Sequence, residues 1–177
     1  MKKTIMLGTV LTCTLAATAF ADPPKTLHVV KSVVIHAPAD KVWGAVKDFD
    51  SLDKWHPGFV KDEIVKGKNN TPGAVRSITV KDGPTFTEQL LAFDEANHSY
   101  RYRIVESPLP VQHYVSRIAV KSGPNDTTRV TWSGSFKRKN ESDNPPEAEN
   151  DAAVKKLVTG VYEGGLQGLK KKAEGGS

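Results

Sequence analysis

The stretch from Val33 to Pro57, reading VVIHAPADKVWGAVKDFDSLDKWHP, constrains the fold more than any other part of this chain. An apolar strand ends at His36, and a proline-containing break follows it. The next residues place Trp43 and Phe49 on the apolar side of a short helix. A second short helical turn then leads to Trp55 and its neighbours. The pattern predicts a strand followed directly by two small helices.

The rest of the chain predicts more strands and one long closing helix. Six strand-like segments lie between turn residues, at 59–66, 74–81, 85–93, 98–106, 113–121 and 128–137. The final segment, 146–172, repeats apolar residues every three or four positions, as an amphipathic helix does. This order predicts an α+β helix-grip fold. In that fold a curved antiparallel sheet wraps around the long C-terminal helix and encloses a cavity, with two short helices after the first strand.

The first 21 residues read as a secretory signal peptide. Lys2 and Lys3 are followed by the apolar stretch 5–17, and Ala19-Phe20-Ala21 has the small-x-small pattern of a cleavage site. We therefore expect cleavage after Ala21, export to the periplasm and a single domain of residues 22–177. The one cysteine, Cys13, is removed with the leader, so the mature chain is expected to hold no disulfide and no thiolate metal site.

Composition excludes several classes of function. The formal net charge of +5 falls to +3 once the two leader lysines are removed, which favours an acidic partner over nucleic acid. No later segment is apolar enough to span a bilayer. The five histidines show no paired ligand spacing, and no phosphate or nicotinamide fingerprint is present. We expect no metal, no other cofactor and no catalytic motif of a known type.

Several fragments together resemble the START-like (SRPBCC) superfamily, which includes polyketide cyclases/dehydrases, Bet v 1 allergens and abscisic acid receptors. The fragments lie at 37–43, 48–50, 73–76, 88–90, 94, 100, 102 and 114–116. The leader, the Trp55-His56-Pro57 ending and the Pro108-Leu109-Pro110 loop are most similar to secreted bacterial members, such as the MxaD-type periplasmic family. That resemblance implies an accessory role in methanol oxidation, with methanol dehydrogenase or its cytochrome as an acidic redox partner.

The resemblance also implies a set of cavity residues. Similarity to the abscisic acid receptors places four side chains in the cavity, namely His56, Glu88, Ser116 and Trp132. Strand alternation puts Tyr102 and Tyr114 on the faces of their strands that point the same way. The predicted ligand-cavity residues are His56, Glu88, Tyr102, Tyr114, Ser116 and Trp132. The gating loop of those receptors has no counterpart, because residues 81–85 read Lys-Asp-Gly-Pro-Thr in a shorter segment. Gating of the receptor kind is therefore not expected.

Each of these residues also has a purely structural interpretation. His56 could cap the short helix and face solvent, and Glu88 could pair with Arg76 or Arg101. Trp132 could belong to the core. The glycines at 160, 164 and 168 could allow close packing of the final helix on the sheet, or could leave cavity volume for a ligand.

The sequence leaves three functions open. The first is a non-enzymatic periplasmic accessory protein that binds a small apolar ligand, with the MxaD-type role as its specific form. The second is a cyclase-like enzyme that uses His56 or Glu88 as a general base in a sheltered pocket. The third is a lipid or quinone carrier. The fold alone cannot separate them, because one scaffold can host enzymes, carriers and receptors.

Overall fold

The computed structural model describes residues 24–175. The helices and strands are β1 (Leu27–Ile35), α1 (Ala39–Val46), β2 (Phe59–Lys66), β3 (Val75–Val80), β4 (Thr85–Asp94), β5 (Ser99–Glu106), β6 (Val111–Ser122), β7 (Thr128–Arg138) and α2 (Asp151–Glu174). The seven strands form one antiparallel sheet in the order β1-β7-β6-β5-β4-β3-β2. The long helix α2 packs on the concave face of this curved sheet, which confirms the predicted helix-grip fold.

Two boundaries differ from the prediction. The second short helix is a single 3₁₀ turn, Leu52–Lys54, because Pro57 and Gly58 follow too closely for an α-helix to form. The closing helix begins at Asp151 and not at residue 146. Asn150 caps it, since its side-chain Oδ1 accepts a hydrogen bond from the Ala153 N–H at 2.9 Å.

One face of α2 supplies much of the core. Its buried residues recur at helical spacing and are Val154, Val158, Tyr162, Gly165, Leu166, Leu169 and Ala173. The short helix α1 buries Val42, Trp43 and Val46 against the same core, and Phe49 behind it is also fully buried. The prediction that Trp43 and Phe49 are core residues is confirmed.

The glycines of α2 have different roles. A side chain at Gly168 would overlap the Trp55 carbonyl oxygen, and one at Gly165 would lie 2.6 Å from the Trp132 ring. Close packing therefore requires glycine at both positions. Within residues 24–175, a Cβ added at Gly160 would meet no atom within 4 Å apart from its own stretch of helix, and one at Gly164 would only touch the His56 ring at 4.0 Å. Of the glycines at 160, 164 and 168, close packing thus explains only Gly168.

A loop between β2 and β3 fixes the backbone around Phe49. The side-chain oxygens of Asn69 and Asn70 both accept from the Phe49 N–H, at 3.1 and 2.9 Å. The amide groups of the same asparagines donate to Asp50 and Asp48. The Phe49 carbonyl is thereby held in place, and it accepts a hydrogen bond from a buried arginine of the site described below.

The described residues contain no candidate for a membrane-spanning helix or for a metal site. Within residues 24–175, no helix is long and apolar enough to cross a membrane. In the same range, no three His, Cys, Asp or Glu side chains are grouped in a way that could hold a metal ion. The predicted signal peptide, including Cys13 and the cleavage site, lies outside the described residues.

Candidate ligand cavity

A cavity of about 230 Å³ lies between α2 and the concave face of the sheet. Its walls are almost entirely apolar and include Phe59, Phe86, Ile104, Val111 and Val158. The less buried lining residues show where the cavity opens. They are Val80 before the β3–β4 turn, Leu109 in the proline loop and Leu157 on α2, which is 39% exposed.

The structure brings most of the predicted site residues together. His56, Glu88, Tyr102, Tyr114 and Trp132 all line the cavity. Ser116 is buried but lies behind the lining, where its hydroxyl bonds to neighbouring protein atoms. The six residues therefore divide into five that a ligand could touch and one that supports the wall.

His56 is a buried, neutral residue and does not face solvent. The Gly58 N–H donates to His56 Nδ1 at 3.0 Å, so Nδ1 carries no proton. Nε2 must then carry the proton and donate it to the Val161 carbonyl, 2.9 Å away. Burial lowers the pKa of His56, although the hydrogen bond to the Val161 carbonyl opposes the shift. Both nitrogens are occupied, so His56 offers the cavity an aromatic ring and no free base.

Arg76 and Glu88 form a buried ion pair, of which Glu88 lines the cavity. The Arg76 Nε and Nη2 atoms both donate to Glu88 Oε2, at 3.0 and 2.6 Å. Nη1 donates to the Phe49 carbonyl at 2.6 Å and to Asp62 Oδ2 at 3.1 Å. The guanidinium also lies 4.2 Å from the centre of the Phe49 ring. The structural interpretation of Glu88 is therefore present, with Arg76 and not Arg101 as its partner.

This cluster holds one cation and two carboxylates in a nearly dry environment. Arg76 is 1% exposed and Glu88 is 4% exposed. Burial raises the pKa of Glu88 to about 7, against the opposing attraction of Arg76. Burial also raises the pKa of Asp62. With both carboxylates ionised the cluster carries an uncompensated negative charge, so one of them favours the protonated form near neutral pH.

A chain of hydroxyl groups supports the wall behind the cavity. The Ser116 hydroxyl donates to the Ser133 carbonyl at 2.9 Å, so it can only accept from Tyr162, whose oxygen is 2.8 Å away. The Tyr162 hydroxyl therefore points at Ser116, and Tyr114 donates to Tyr162 at 2.8 Å. Each proton of this chain has an acceptor within the protein.

Tyr102 and Glu88 each present a polar atom to the cavity that is not fully used in hydrogen bonds among residues 24–175. Trp132 Nε1 donates to Tyr102 Oη at 2.9 Å, and the hydrogen bonds within residues 24–175 use that oxygen only as an acceptor. Burial raises the pKa of Tyr102 well above its usual value, so its hydroxyl keeps a proton to donate. All hydrogen bonds of Glu88 in the same range use Oε2, which leaves Oε1 as an acceptor while the carboxylate is ionised. The cavity thus offers one donor and one acceptor in otherwise apolar surroundings.

Sequence reasoning missed two residues of this site. Asp62 lies on the edge strand β2, where an acidic residue is expected to face solvent, yet its carboxylate bonds to Arg76 and to the Leu52 N–H. Tyr162 lies four residues after Val158 on α2, and its ring stacks on Trp132 with centres 4.6 Å apart. That spacing could have predicted burial of Tyr162, whereas nothing local predicts burial of Asp62.

The fold and the cavity define a helix-grip protein of the START-like class. The chain belongs to the polyketide cyclase / dehydrase and lipid transport family, which it matches over residues 26–174. It is 29% identical over 136 residues to MLP-like protein 423 of Arabidopsis thaliana, covering 73% of this chain and 86% of that protein. It is 34% identical over 91 residues to the abscisic acid receptor PYL10 of the same plant, covering 50% of this chain and 49% of the receptor.

Solved structures agree with this assignment. The protein XoxI from Bacillus cereus shares 32% sequence identity with a TM-score of 0.70, and the match covers 81% of this chain and 93% of XoxI. The ZhuI aromatase/cyclase from a Streptomyces species shares 22% identity with a TM-score of 0.68, covering 85% and 94% of the two chains. At that identity the aromatase/cyclase supports the fold alone.

Proposed function

We propose that this protein binds a small, mostly apolar molecule that carries one hydroxyl group. The observation that carries the proposal is the composition of the cavity wall. Apolar side chains surround a space in which the Glu88 Oε1 acceptor and the Tyr102 hydroxyl donor have no hydrogen-bond partner within residues 24–175. A hydroxyl group can satisfy both at once, because it donates one hydrogen bond and accepts others.

The size of the cavity limits the ligand to about one substituted aromatic ring. An apolar cavity of about 150 Å³ holds benzene, and drug-sized ligands occupy about 300–1,000 Å³. The volume of about 230 Å³ lies between these values. A long-chain lipid or a quinone with its tail would not fit this space, so the carrier function has the least support of the three.

A titration with two matched ligands tests the proposal. Calorimetry should detect binding of p-cresol, with toluene binding about tenfold more weakly because it lacks the hydroxyl group. Glu88→Gln should reduce this difference, since the amide is a weaker acceptor than a carboxylate. Equal affinity for the two ligands in the native protein would refute the proposed polar end of the site.

The mouth of the cavity provides a second variant. Leu109 lies at the opening on a loop between two prolines, where a larger side chain can block entry without filling the core. Leu109→Trp should weaken p-cresol binding while leaving the unfolding temperature nearly unchanged. Val65 is 54% exposed on β2 and does not line the cavity, so Val65→Trp is the matched control.

One observation favours an enzyme as the second candidate. Burial raises the pKa of Glu88 to about 7, where a carboxyl group can take up and release a proton at neutral pH. A ligand with an enolisable carbonyl next to Oε1 could then undergo proton transfer, as a cyclase-like reaction requires. If the protein alone exchanges such a proton for deuterium and Glu88→Gln abolishes the exchange, the protein is an enzyme and not only a binding protein.

The cellular setting that we propose is the periplasm, with an accessory role of the MxaD type. This proposal is supported by the leader pattern of residues 1–21 and by the resemblance to secreted family members. In this setting the protein would act without catalysis beside methanol dehydrogenase or its cytochrome. A reconstituted assay of electron transfer between those two proteins, with and without this chain, tests the role. No stimulation at any salt concentration would exclude it.

A further inference from the structure

The outer face of the sheet, opposite α2, carries all the exposed arginines of the chain. The sequence contains six arginines, of which Arg76 and Arg138 are buried. The other four are exposed on β5, β6 and β7, and strand alternation directs their side chains away from the cavity. We call this surface the arginine face; it consists of Arg101, Arg103, Arg117 and Arg129.

The arrangement places like charges directly opposite each other. Arg101 pairs with Arg117 across β5 and β6, and Arg129 pairs with Lys121 across β7 and β6. Like charges in such positions destabilise a sheet. Within residues 24–175, none of these cations forms an ion pair with a carboxylate. Among the described residues, no ion pair therefore offsets the repulsion between these like charges.

Neutral side chains hold three of the arginines in place. Arg103 donates to Gln89 at 3.0 Å, Arg117 donates to Ser99 at 3.0 Å, and Arg129 lies 3.5 Å from the Ser32 hydroxyl. The nearby carboxylate of Asp94 bonds to Asn97 instead. The guanidinium groups are thus positioned by neutral contacts, and their charge remains available to a partner.

We propose that the arginine face is a docking surface for an acidic patch on another protein. A shallow groove of about 310 Å³ crosses it, with Arg101 and Arg117 on one side and His28 and Val30 on the other. An aspartate or glutamate side chain entering the groove would meet two guanidinium groups, which bind carboxylates through paired hydrogen bonds. Val30 is 65% exposed and supplies apolar contact beside them.

The chemistry of the face favours a protein over a membrane. Peripheral membrane binding combines lysines or arginines on the polar face of a helix with large apolar or aromatic side chains that enter the lipid. The large exposed apolar residues of the described chain are five valines and Leu157, with no aromatic residue among them. The face is also a sheet of fixed geometry, which suits carboxylates at defined positions. The cavity opens on the other side of the sheet, so this proposal does not depend on the proposed ligand.

The test is a titration of the ¹⁵N-labelled mature protein with poly-L-glutamate at low ionic strength. Chemical shifts should change along β5, β6 and β7 and at the arginine side chains, and the changes should fade as salt is added. Arg101→Gln with Arg117→Gln should weaken binding about tenfold. Lys155→Gln with Lys156→Gln removes the same charge from exposed positions on α2 and should weaken it less than twofold.

Three results would overturn the proposal. Equal weakening in the two double variants would mean that binding follows net charge alone. Stronger binding to phosphatidylglycerol vesicles than to poly-L-glutamate, lost in the arginine variant, would assign the face to a membrane. A lower unfolding temperature of the arginine variant would mean that the arginines stabilise the sheet. The docking surface predicts instead that this variant is at least as stable as the native protein at low salt.

Discussion

Replacing Glu88 by glutamine tests the charge state of the buried cluster. In the native protein the pKa of Glu88 is about 7, raised from an ordinary value of 4.5. A carboxyl group with a raised folded-state pKa leaves stability intact below its ordinary pKa, and that stability is lost as pH rises through the folded-state pKa. The shift corresponds to about 3 kcal/mol of unfolding free energy between pH 4.5 and pH 8.

Glu88→Gln removes this titration and leaves Arg76 paired with Asp62, so the cluster becomes neutral. The amide accepts a weaker hydrogen bond from Arg76, which costs about 1 kcal/mol at every pH. The native protein has already lost about 1 kcal/mol through this titration at pH 5, so we expect the variant to be about as stable as the native protein at pH 5 and about 2 kcal/mol more stable at pH 8.

Urea unfolding at pH 5 and pH 8 measures both differences. The matched control is Glu63→Gln, because Glu63 is an exposed residue paired with Lys61 and should change stability by less than about 0.5 kcal/mol. A loss of about 3–5 kcal/mol in Glu88→Gln at both pH values would refute the reasoning. That result is expected when one partner of a fully ionised buried pair is removed.

Two further predictions concern α2 and the residue packed against it. Gly160→Ala should stabilise the protein by about 1 kcal/mol, because alanine favours the helix and its Cβ would meet no atom of another element within residues 24–175. Gly165→Ala should destabilise the protein by about 1–3 kcal/mol, because its Cβ would overlap the Trp132 ring. Thermal unfolding of the two variants compares them, and similar effects would contradict the packing. In a ¹⁵N NMR titration the pKa of His56 should lie below its ordinary value of 6.5, and the neutral ring should carry its proton on Nε2. A pKa at or above 6.5 would contradict the buried geometry of His56.

The sequence predicted the fold because its signals are local and repeated. Alternating strands, turn residues and one amphipathic helix determine the order of the layers, and the break at Pro38 places α1. Four of the six cavity residues followed from the resemblance to the abscisic acid receptors. Strand alternation supplied the two tyrosines, and it assigns a side chain to a face but not to a partner. Asp62 could not be found in this way, because its burial depends on Arg76, fourteen residues away, and on the 3₁₀ turn that covers it.

The hydrogen-bond roles of the site residues were also beyond the sequence. The sequence left His56 open as a general base, and its neutral, hydrogen-bonded form follows only from the positions of the Gly58 N–H and the Val161 carbonyl. Ser116 shares a strand face with Tyr114, yet Tyr162 on the distant helix α2 engages its hydroxyl. Such assignments require the distances between elements that are far apart in the chain.

The most direct test of the central claim is to locate p-cresol on the protein. Methyl-edited NOE spectra of the protein with bound p-cresol should show contacts from the ligand ring to Ile104, Val111 and Val158, which line the cavity. Val60 and Val65 are exposed on β2 and should show none. Contacts that place the ring between α2 and the sheet would support the proposed binding function. Contacts confined to the surface valines, or none at saturating ligand, would contradict it.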